Sequence, residues 1–287
     1  MIINGVKRIA VIGAGTMGQG IAQVCALSGY EIALYDIQTE LTSAGMAGIR
    51  KNLENAVTKN KISAQQRDEA LGRIQVAGDF RQLQVDLAIE AVIEKLEIKQ
   101  KIFQELEKIN GKDCILASNT SSIPITQIAS ALKHQGRCAG LHFFNPAPVM
   151  KLVEIIRGAV TDDETVNVLQ DFVQQINKVG VLANDSPGFI VNRVARHFYV
   201  ESLKLLEDKV STHVGIDKLV KASGFRMGPF ELMDMIGIDV NFAVTSSIYH
   251  SFHEDPKFRP SRIQQQKVDA GHLGRKTGKG FYEYPNP

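Results

Sequence analysis

The chain has 287 residues, 44% of them hydrophobic and 22% charged, which is ordinary for a globular protein of more than one domain. Its net charge of +2 is too small to indicate binding to nucleic acid or to a membrane surface. Its three cysteines are far apart in apolar runs and fit neither disulfides nor a metal site, and the absence of a bilayer-spanning run or signal-peptide pattern predicts a cytoplasmic protein.

The first predicted element is a buried strand over 9–12, followed by a glycine-rich turn and a helix over 19–28. The turn, residues 13–18, reads G-A-G-T-M-G and fits the G-x-G-x-x-G pattern of dinucleotide-binding proteins. Its first glycine permits a tight turn, the second lets the backbone approach a pyrophosphate, and the third lets the helix pack closely on the sheet. The N–H groups at the helix start favour the phosphates.

A second strand is predicted over 31–35, and Asp36 follows it directly. This residue lies at about the separation of roughly 20 residues from the turn that the pattern requires. Its carboxylate would accept hydrogen bonds from a ribose 2′-hydroxyl and repel a 2′-phosphate, so NAD is predicted over NADP. A purely structural turn followed by a chance acidic residue is the alternative, and the strand and helix around the turn argue against it.

Two helices are predicted after Asp36, over 41–57 and 63–72. Basic residues, among them Lys51 and Lys59, lie opposite the apolar side of this region. From the residues alone, a solvated helix face explains these lysines better than a binding site does.

Strands and helices then alternate along the chain. Strands are predicted over 74–77, 86–91, 114–118, 137–141, 152–156 and 179–182, and helices over 96–109 and 163–177. This alternation predicts an α/β fold with a Rossmann-like, doubly wound, mostly parallel sheet, whose ligands bind beyond the carboxyl ends of the strands. Polar side chains near those predicted ends are Asp36, Glu90, Ser118, Ser121, His142 and Asn145.

The turn-forming run at 184–188 predicts a domain boundary. Residues 1–184 would form the NAD-binding domain, with a helical insertion after its second strand, and residues 185–287 a smaller all-helical domain. Helices are predicted there over 189–206, 214–222, 229–236 and 240–252. The basic tail at 274–280 is predicted to be a loop and not a P-loop, because no strand leads into it and no helix follows.

His142 is the strongest catalytic candidate. An unperturbed histidine titrates at about 6.5, so it can remove an alcohol proton near neutral pH. Glu154 follows on the next predicted strand and could face His142, fixing its tautomer and stabilising the imidazolium. From spacing alone, a structural histidine and a surface glutamate are an equal alternative.

Six ordered motifs, spread over the whole chain, resemble those of 3-hydroxyacyl-CoA dehydrogenases, and the length resembles the short 3-hydroxybutyryl-CoA dehydrogenase type. The motifs are residues 13–18, 117–122, 141–146, 151–154, 185–193 and 228–232. The resemblance implies hydride transfer between NAD and the C3 hydroxyl or keto group of a short-chain 3-hydroxyacyl-CoA in fatty acid metabolism. It also implies that the helical domain forms a homodimer.

The resemblance further implies roles for individual residues. The catalytic residues would be His142, Glu154, Ser121 and Asn192, the last at the domain junction near the substrate. The cofactor-binding residues would be Gly13, Gly15, Thr16, Met17, Gly18, Asp36, Glu94, Lys99, Asn119, Ser121, Asn145 and Lys276. The substrate-binding residues would be Ser121, Asn192, Lys59 and, with less support, Lys51. Pro124 departs from the family pattern, in which a polar residue is common, and is expected to alter a helix start without changing the chemistry.

Two alternatives remain open at this stage. A related NAD-dependent sugar-acid dehydrogenase of the gulonate type would keep the fold and most motifs but would not depend on CoA. A non-catalytic dinucleotide-binding protein would have no chemical reason to keep Ser121, His142, Glu154 and Asn192 together.

Overall fold

The structure is a computed structural model that describes residues 6–285. The chain divides into two compact units between Ser186 and Pro187. Within residues 6–285, none of the helices combines the length and apolar character needed to cross a bilayer.

The first unit is built on one eight-stranded sheet. Its strands are β1 (Arg8–Ile12), β2 (Glu31–Tyr35), β3 (Ile74–Val76), β4 (Leu87–Glu90), β5 (Ile115–Ser118), β6 (Cys138–Phe143), β7 (Leu152–Arg157) and β8 (Val179–Asn184). Their order is β3-β2-β1-β4-β5-β6-β7-β8, and every neighbouring pair is parallel except β6–β7. This arrangement confirms the predicted α/β class, with a doubly wound, mostly parallel sheet.

Helices connect these strands and bury apolar side chains against them. They are α1 (Thr16–Leu27), α2 (Thr39–Thr58), α3 (Ala64–Gly72), α4 (Leu96–Asn110), α5 (Ile125–Ala129) and α6 (Asp163–Gln175). The central strands are buried along their whole length, as expected for parallel strands covered on both faces. The core of the unit includes Ile21, Leu34, Ile89 and Phe172.

β6 is longer at its carboxyl end than the sequence predicts. It continues to Phe143, so His142 lies within the strand and not in the loop after it. The reason is the antiparallel pairing with β7, which matches Phe143 with Val153. A neighbouring strand therefore fixes the backbone around His142.

α5 is not predicted from the hydrophobic pattern, because five residues are too few to show helical periodicity. It begins directly after Pro124, whose side chain cannot accept a capping hydrogen bond. The carboxylate of Asp185, which follows β8, accepts hydrogen bonds from the backbone N–H groups of Ile125 and Thr126 instead. A distant acidic side chain thus caps this short helix.

The second unit is helical, as predicted. Its helices are α7 (Val191–Glu207), α8 (His213–Ala222), α9 (Pro229–Ile236), α10 (Ile238–Ser251) and α11 (Arg262–Asp269). α11 is not predicted, because its sequence, RIQQQKVD, carries only two apolar side chains.

Two buried aspartates hold the tail of the second unit. Asp234 accepts hydrogen bonds from the backbone N–H groups of Phe281 and Tyr282 and from the hydroxyl of Tyr284, at 2.9–3.0 Å. Asp217 accepts one from the hydroxyl of Tyr282 at 2.7 Å, and it also caps α9. The segment after α11 is therefore an integral part of this unit's core.

Candidate active site

The glycine-rich turn between β1 and α1 has little room for side chains. Gly13 has φ +100°, and a Cβ there would lie 2.5 Å from the carbonyl oxygen of Ala91. A Cβ at Gly18 would lie 1.7 Å from the carbonyl oxygen of Gly13. At Gly15, in contrast, a Cβ would meet no protein atom within 4 Å, so the backbone at the start of α1 is open on that side.

Asp36 lies directly after β2 and is tied to the same turn. One carboxylate oxygen accepts a hydrogen bond from the backbone N–H of Ala14 at 2.8 Å, and the other accepts one from Gln38 at 3.1 Å. A carboxylate has about four acceptor positions, so capacity remains for ribose hydroxyls. Asp36, Gly15 and Phe80 line a cleft of about 520 Å³. The open side of Gly15 and the position of Asp36 fit a dinucleotide.

Thr16 and Met17, the other predicted cofactor residues of the turn, are the first two residues of α1. Thr16 is exposed, whereas Met17 is partly buried and packs against the core of the unit. Thr16 therefore lies where a ligand could reach its side chain.

His142 and Glu154 form a buried pair. The two residues are opposite one another in the β6–β7 register, and Nδ1 of His142 is 2.7 Å from a carboxylate oxygen of Glu154. Glu154 is only 1% exposed, which rules out a surface glutamate. A hydrogen bond from Nδ1–H to this carboxylate selects the tautomer whose Nε2 carries a lone pair, as a general base requires.

Ser121 lies in a turn after β5 that is held by Glu94. One carboxylate oxygen of Glu94 accepts hydrogen bonds from the backbone N–H groups of Ser121 and Ser122 and from the hydroxyls of Thr120 and Ser122. Burial would raise the pKa of the Glu94 carboxyl, but the Lys99 ammonium and the hydroxyl hydrogen bonds outweigh it and lower the pKa. Glu94 is thus ionised at neutral pH.

Lys99 is buried beneath Glu94 instead of projecting toward a ligand. Its side chain is 1% exposed, and Nζ lies 2.7 Å from Glu90 and 3.2 Å from Glu94. Glu90, the last residue of β4, also accepts a hydrogen bond from the hydroxyl of Ser118 at 2.6 Å. Direct contact between Lys99 and the cofactor stays a prediction.

Two asparagines that are predicted to bind the cofactor lie near β6, the strand that carries His142. The side-chain oxygen of Asn119 accepts a hydrogen bond from the backbone N–H of Phe143 at 2.8 Å, which joins the end of β5 to β6. Asn145 is exposed and lies on a second groove of the same unit, with a volume of about 580 Å³.

This second groove is basic. Lys59, Lys61 and Lys178 line it, and none of its lining residues in the described part of the chain is acidic. Lys178 donates hydrogen bonds to the carbonyl oxygens of Ala147 and Met150, both at 2.7 Å. Lys51 is exposed on α2 but does not line the groove, so the two lysines predicted to bind substrate differ in placement.

The two remaining predicted residues belong to the second unit. Asn192 is half-buried in the first turn of α7. Lys276 is exposed, and its ammonium lies 2.7 Å from the carboxylate of Asp239. Their contacts with substrate and cofactor stay predictions.

The linked cluster of Glu90, Lys99 and Ser118 is not predicted from the sequence, although a signal for it exists. Lys99 shares one face of α4 with Phe103 and Leu106, at the i, i+4 and i+7 spacing of a buried helix side. Glu90 ends an otherwise apolar strand. A lysine and a glutamate in such positions must find partners, because buried charges are rarely left unpaired.

Comparison with known proteins assigns both units. Residues 8–186 match the family model described as 3-hydroxyacyl-CoA dehydrogenase, NAD binding domain, and residues 188–284 match its C-terminal domain. The chain is similar to 3-hydroxyadipyl-CoA dehydrogenase of Escherichia coli K12, with 45% identity over 99% of this chain, but it spans only 60% of that protein. It is 41% identical to 3-hydroxybutyryl-CoA dehydrogenase of Bradyrhizobium diazoefficiens, over 97% of this chain and 96% of that one.

A solved structure agrees with these sequence comparisons. The crystal structure of (S)-3-hydroxybutyryl-CoA dehydrogenase from Ralstonia eutropha superimposes with a TM-score of 0.94 at 38% identity, covering 98% of this chain and 100% of that one.

Proposed function

The chain belongs to the 3-hydroxyacyl-CoA dehydrogenase family, and on that basis we propose that it interconverts a 3-hydroxyacyl-CoA and the 3-ketoacyl-CoA, with NAD as the redox partner. A short acyl chain such as that of 3-hydroxybutyryl-CoA is favoured. NAD, when bound, supplies the acceptor for the hydride that leaves C3.

The observation that carries this proposal is the buried His142–Glu154 pair at 2.7 Å. His142 takes the proton of the 3-hydroxyl group, and the charge of Glu154 stabilises the imidazolium that results. Ser121 donates or accepts a hydrogen bond at the reacting oxygen, held in place by its turn. Such positioning can lower the barrier by roughly 7–11 kcal/mol in ideal cases.

The proposal is tested by following NADH absorbance with acetoacetyl-CoA, free acetoacetate and, in the oxidative direction, gulonate. We expect turnover with the CoA thioester only. Turnover of gulonate without a CoA ester would favour the sugar-acid alternative. No turnover with any substrate, despite NADH binding, would favour a non-catalytic dinucleotide-binding protein.

A substrate with a terminal carboxylate is a second candidate, because a relative that is 45% identical is named a 3-hydroxyadipyl-CoA dehydrogenase. Values of kcat/KM for 3-hydroxybutyryl-CoA, longer unbranched 3-hydroxyacyl-CoA esters and 3-hydroxyadipyl-CoA would separate the two. A higher value for 3-hydroxyadipyl-CoA than for any monocarboxylic ester would make it the preferred substrate.

The first prediction concerns cofactor choice. We expect wild-type kcat/KM to be higher with NADH than with NADPH. Asp36→Ala should lower the ratio of the NADH value to the NADPH value, because it weakens NADH binding and removes the repulsion of a 2′-phosphate. The variant also loses the hydrogen bond from Ala14, a stability cost of about 1 kcal/mol. Asp36→Asn is the control, since its amide oxygen can keep that bond. A wild-type enzyme that prefers NADPH would contradict the prediction.

The second prediction concerns the basic groove. Acyl-CoA carries several phosphate charges far from the reacting carbon, and binding such remote groups can orient the reacting end. We therefore expect Lys59→Ala to raise KM for acyl-CoA a few-fold and to leave KM for NAD almost unchanged. The effect is small because an exposed ion pair contributes about 0.2–1 kcal/mol, and it should shrink as salt is added.

Two controls accompany this measurement. Arg50→Ala removes an exposed positive charge from α2, the helix that ends just before Lys59, at a position outside the groove, and it should leave KM for acyl-CoA unchanged. A truncated thioester without the nucleotide should be indifferent to Lys59→Ala. If Lys59→Ala raised KM equally for the full and the truncated substrate, Lys59 would support the fold and not CoA binding.

We further propose a homodimer formed through the second unit. In support, this unit exposes large apolar side chains, including Val194, Leu219 and Phe225, each at least 56% exposed. A solution mass equal to that of one chain would contradict this proposal. The cytoplasmic location and the role in fatty acid metabolism stay predictions.

A further inference from the structure

The turn that carries Ser121 faces one particular half of the cofactor. The strand order of the sheet reverses between β1 and β4, and a dinucleotide binds across that switch point with one half on each side. Asp36 follows β2 and therefore belongs to the adenosine side. Glu90 ends β4, Ser118 ends β5, and the Ser121 turn follows β5, so all three belong to the nicotinamide side.

Five residues, one of which is Thr120 of the turn itself, form a closed ring of polar contacts. Lys99 bridges Glu90 at 2.7 Å and Glu94 at 3.2 Å. Glu94 accepts a hydrogen bond from the hydroxyl of Thr120, and the backbone N–H of Thr120 donates one to the hydroxyl of Ser118 at 3.2 Å. Ser118 closes the ring by donating to Glu90 at 2.6 Å. Displacement of one member therefore disturbs the partners of all the others.

Stability alone does not explain charges at this place. Glu90 is 0% exposed and Lys99 1%, and well-packed apolar residues would fill such a position at least as favourably as a buried ion pair. The ring has one carboxylate at its surface, that of Glu94, whose side chain is 38% exposed. Its buried members accordingly act through Glu94 and the turn that Glu94 holds.

We propose that Glu90, Lys99 and Ser118 are positioning residues, which hold Glu94 and the Thr120–Ser122 turn in the geometry that receives the nicotinamide half of NAD and presents Ser121 to the reacting oxygen. This inference rests on the proposed function for the role of Ser121, but its cofactor part does not require an acyl-CoA substrate.

The test compares two ligands of the complete protein. NADH occupies both halves of the cofactor site, whereas ADP-ribose lacks the nicotinamide. The principal variant combines Glu90→Gln with Lys99→Met, which removes both charges together and leaves no lone buried ion. We expect the Kd for NADH to rise about tenfold and the Kd for ADP-ribose to stay within about twofold. We also expect kcat to fall by about 10–10²-fold, since a misplacement of 1 Å can cost about 10²-fold.

Thr165→Val is the matched control, because Thr165 is equally buried and donates a hydrogen bond to the carbonyl oxygen of Gly136, outside the ring. It should leave the NADH to ADP-ribose affinity ratio and kcat at wild-type values. Should the double variant fail to fold, Ser118→Ala keeps both charges and removes only the two hydrogen bonds of the Ser118 hydroxyl. It should shift the same ratio in the same direction by a smaller factor.

Several outcomes would overturn the proposal. An unchanged affinity ratio together with an unchanged kcat, in the double variant or in Ser118→Ala, would leave the ring a purely structural role. Equal weakening of NADH and ADP-ribose would point to general loosening of the fold. If the wild-type protein fails to turn over any acyl-CoA but the affinity ratio shifts as expected, the proposed function fails while the positioning of the nicotinamide side stands.

Discussion

Replacing His142 by glutamine is expected to lower kcat by about 10²–10⁴-fold, the range typical of a lost general base. Glutamine has a similar length and can donate its amide N–H to Glu154, so the buried carboxylate keeps a partner. It cannot accept a proton near neutral pH. The loss should therefore appear in kcat, measured by NADH absorbance with acetoacetyl-CoA, while the Kd for NADH stays near the wild-type value.

His134→Gln is the matched control for this measurement, because His134 is exposed in the same unit and takes no part in the site. Its kcat should equal that of the wild type. If His142→Gln retained wild-type kcat, His142 would be a structural histidine that happens to lie beside a glutamate.

Replacing Glu154 by glutamine is expected to be comparably severe. The amide keeps the volume of the side chain in its buried position but cannot offset the charge of an imidazolium. In the serine-protease triad, the corresponding change of aspartate to asparagine lowers kcat by about 10⁴-fold, largely because the histidine adopts the wrong tautomer. We expect a loss of about 10²–10⁴-fold in kcat with little change in the thermal midpoint.

A variant that carries both substitutions, at His142 and at Glu154, sharpens this prediction. Glu154 acts on the reaction only through His142, so effects of the two substitutions should not add. We expect His142→Gln with Glu154→Gln to be no slower than His142→Gln alone. If the decrease in kcat of the double variant equalled the product of the two single decreases, Glu154 would have a second role, independent of His142.

The secondary structure of the first unit was largely predictable because its strands are short apolar runs separated by helices and turn formers. β2, over 31–35, has the predicted bounds, and the predicted N-cap of α3, Ser63, accepts a hydrogen bond from the backbone N–H of Gln66. The partnership of His142 and Glu154 was also accessible, since the two residues lie on consecutive strands twelve residues apart.

Partners farther apart in the chain were not accessible from local pattern. Asp185 caps α5 from about sixty residues away, and Tyr282 reaches Asp217 across 65 residues. Nothing in the periodicity near these aspartates marks them as hydrogen-bond acceptors for distant residues. The ion pairs of Lys99 were not predicted either, because only its register with Phe103 indicates that it lies on the buried face of a charged helix.

The tail held by Asp217 and Asp234 has a consequence for the synthesis of the chain. These aspartates become buried with hydrogen-bond donors from residues 281–284, which are translated after all five helices of the second unit. A nascent chain that lacks those residues would have to bury two carboxylates without several of their donors, which is costly. Since domains generally fold as units in the order of their synthesis, we expect the core of the second unit to close only after its tail has been translated.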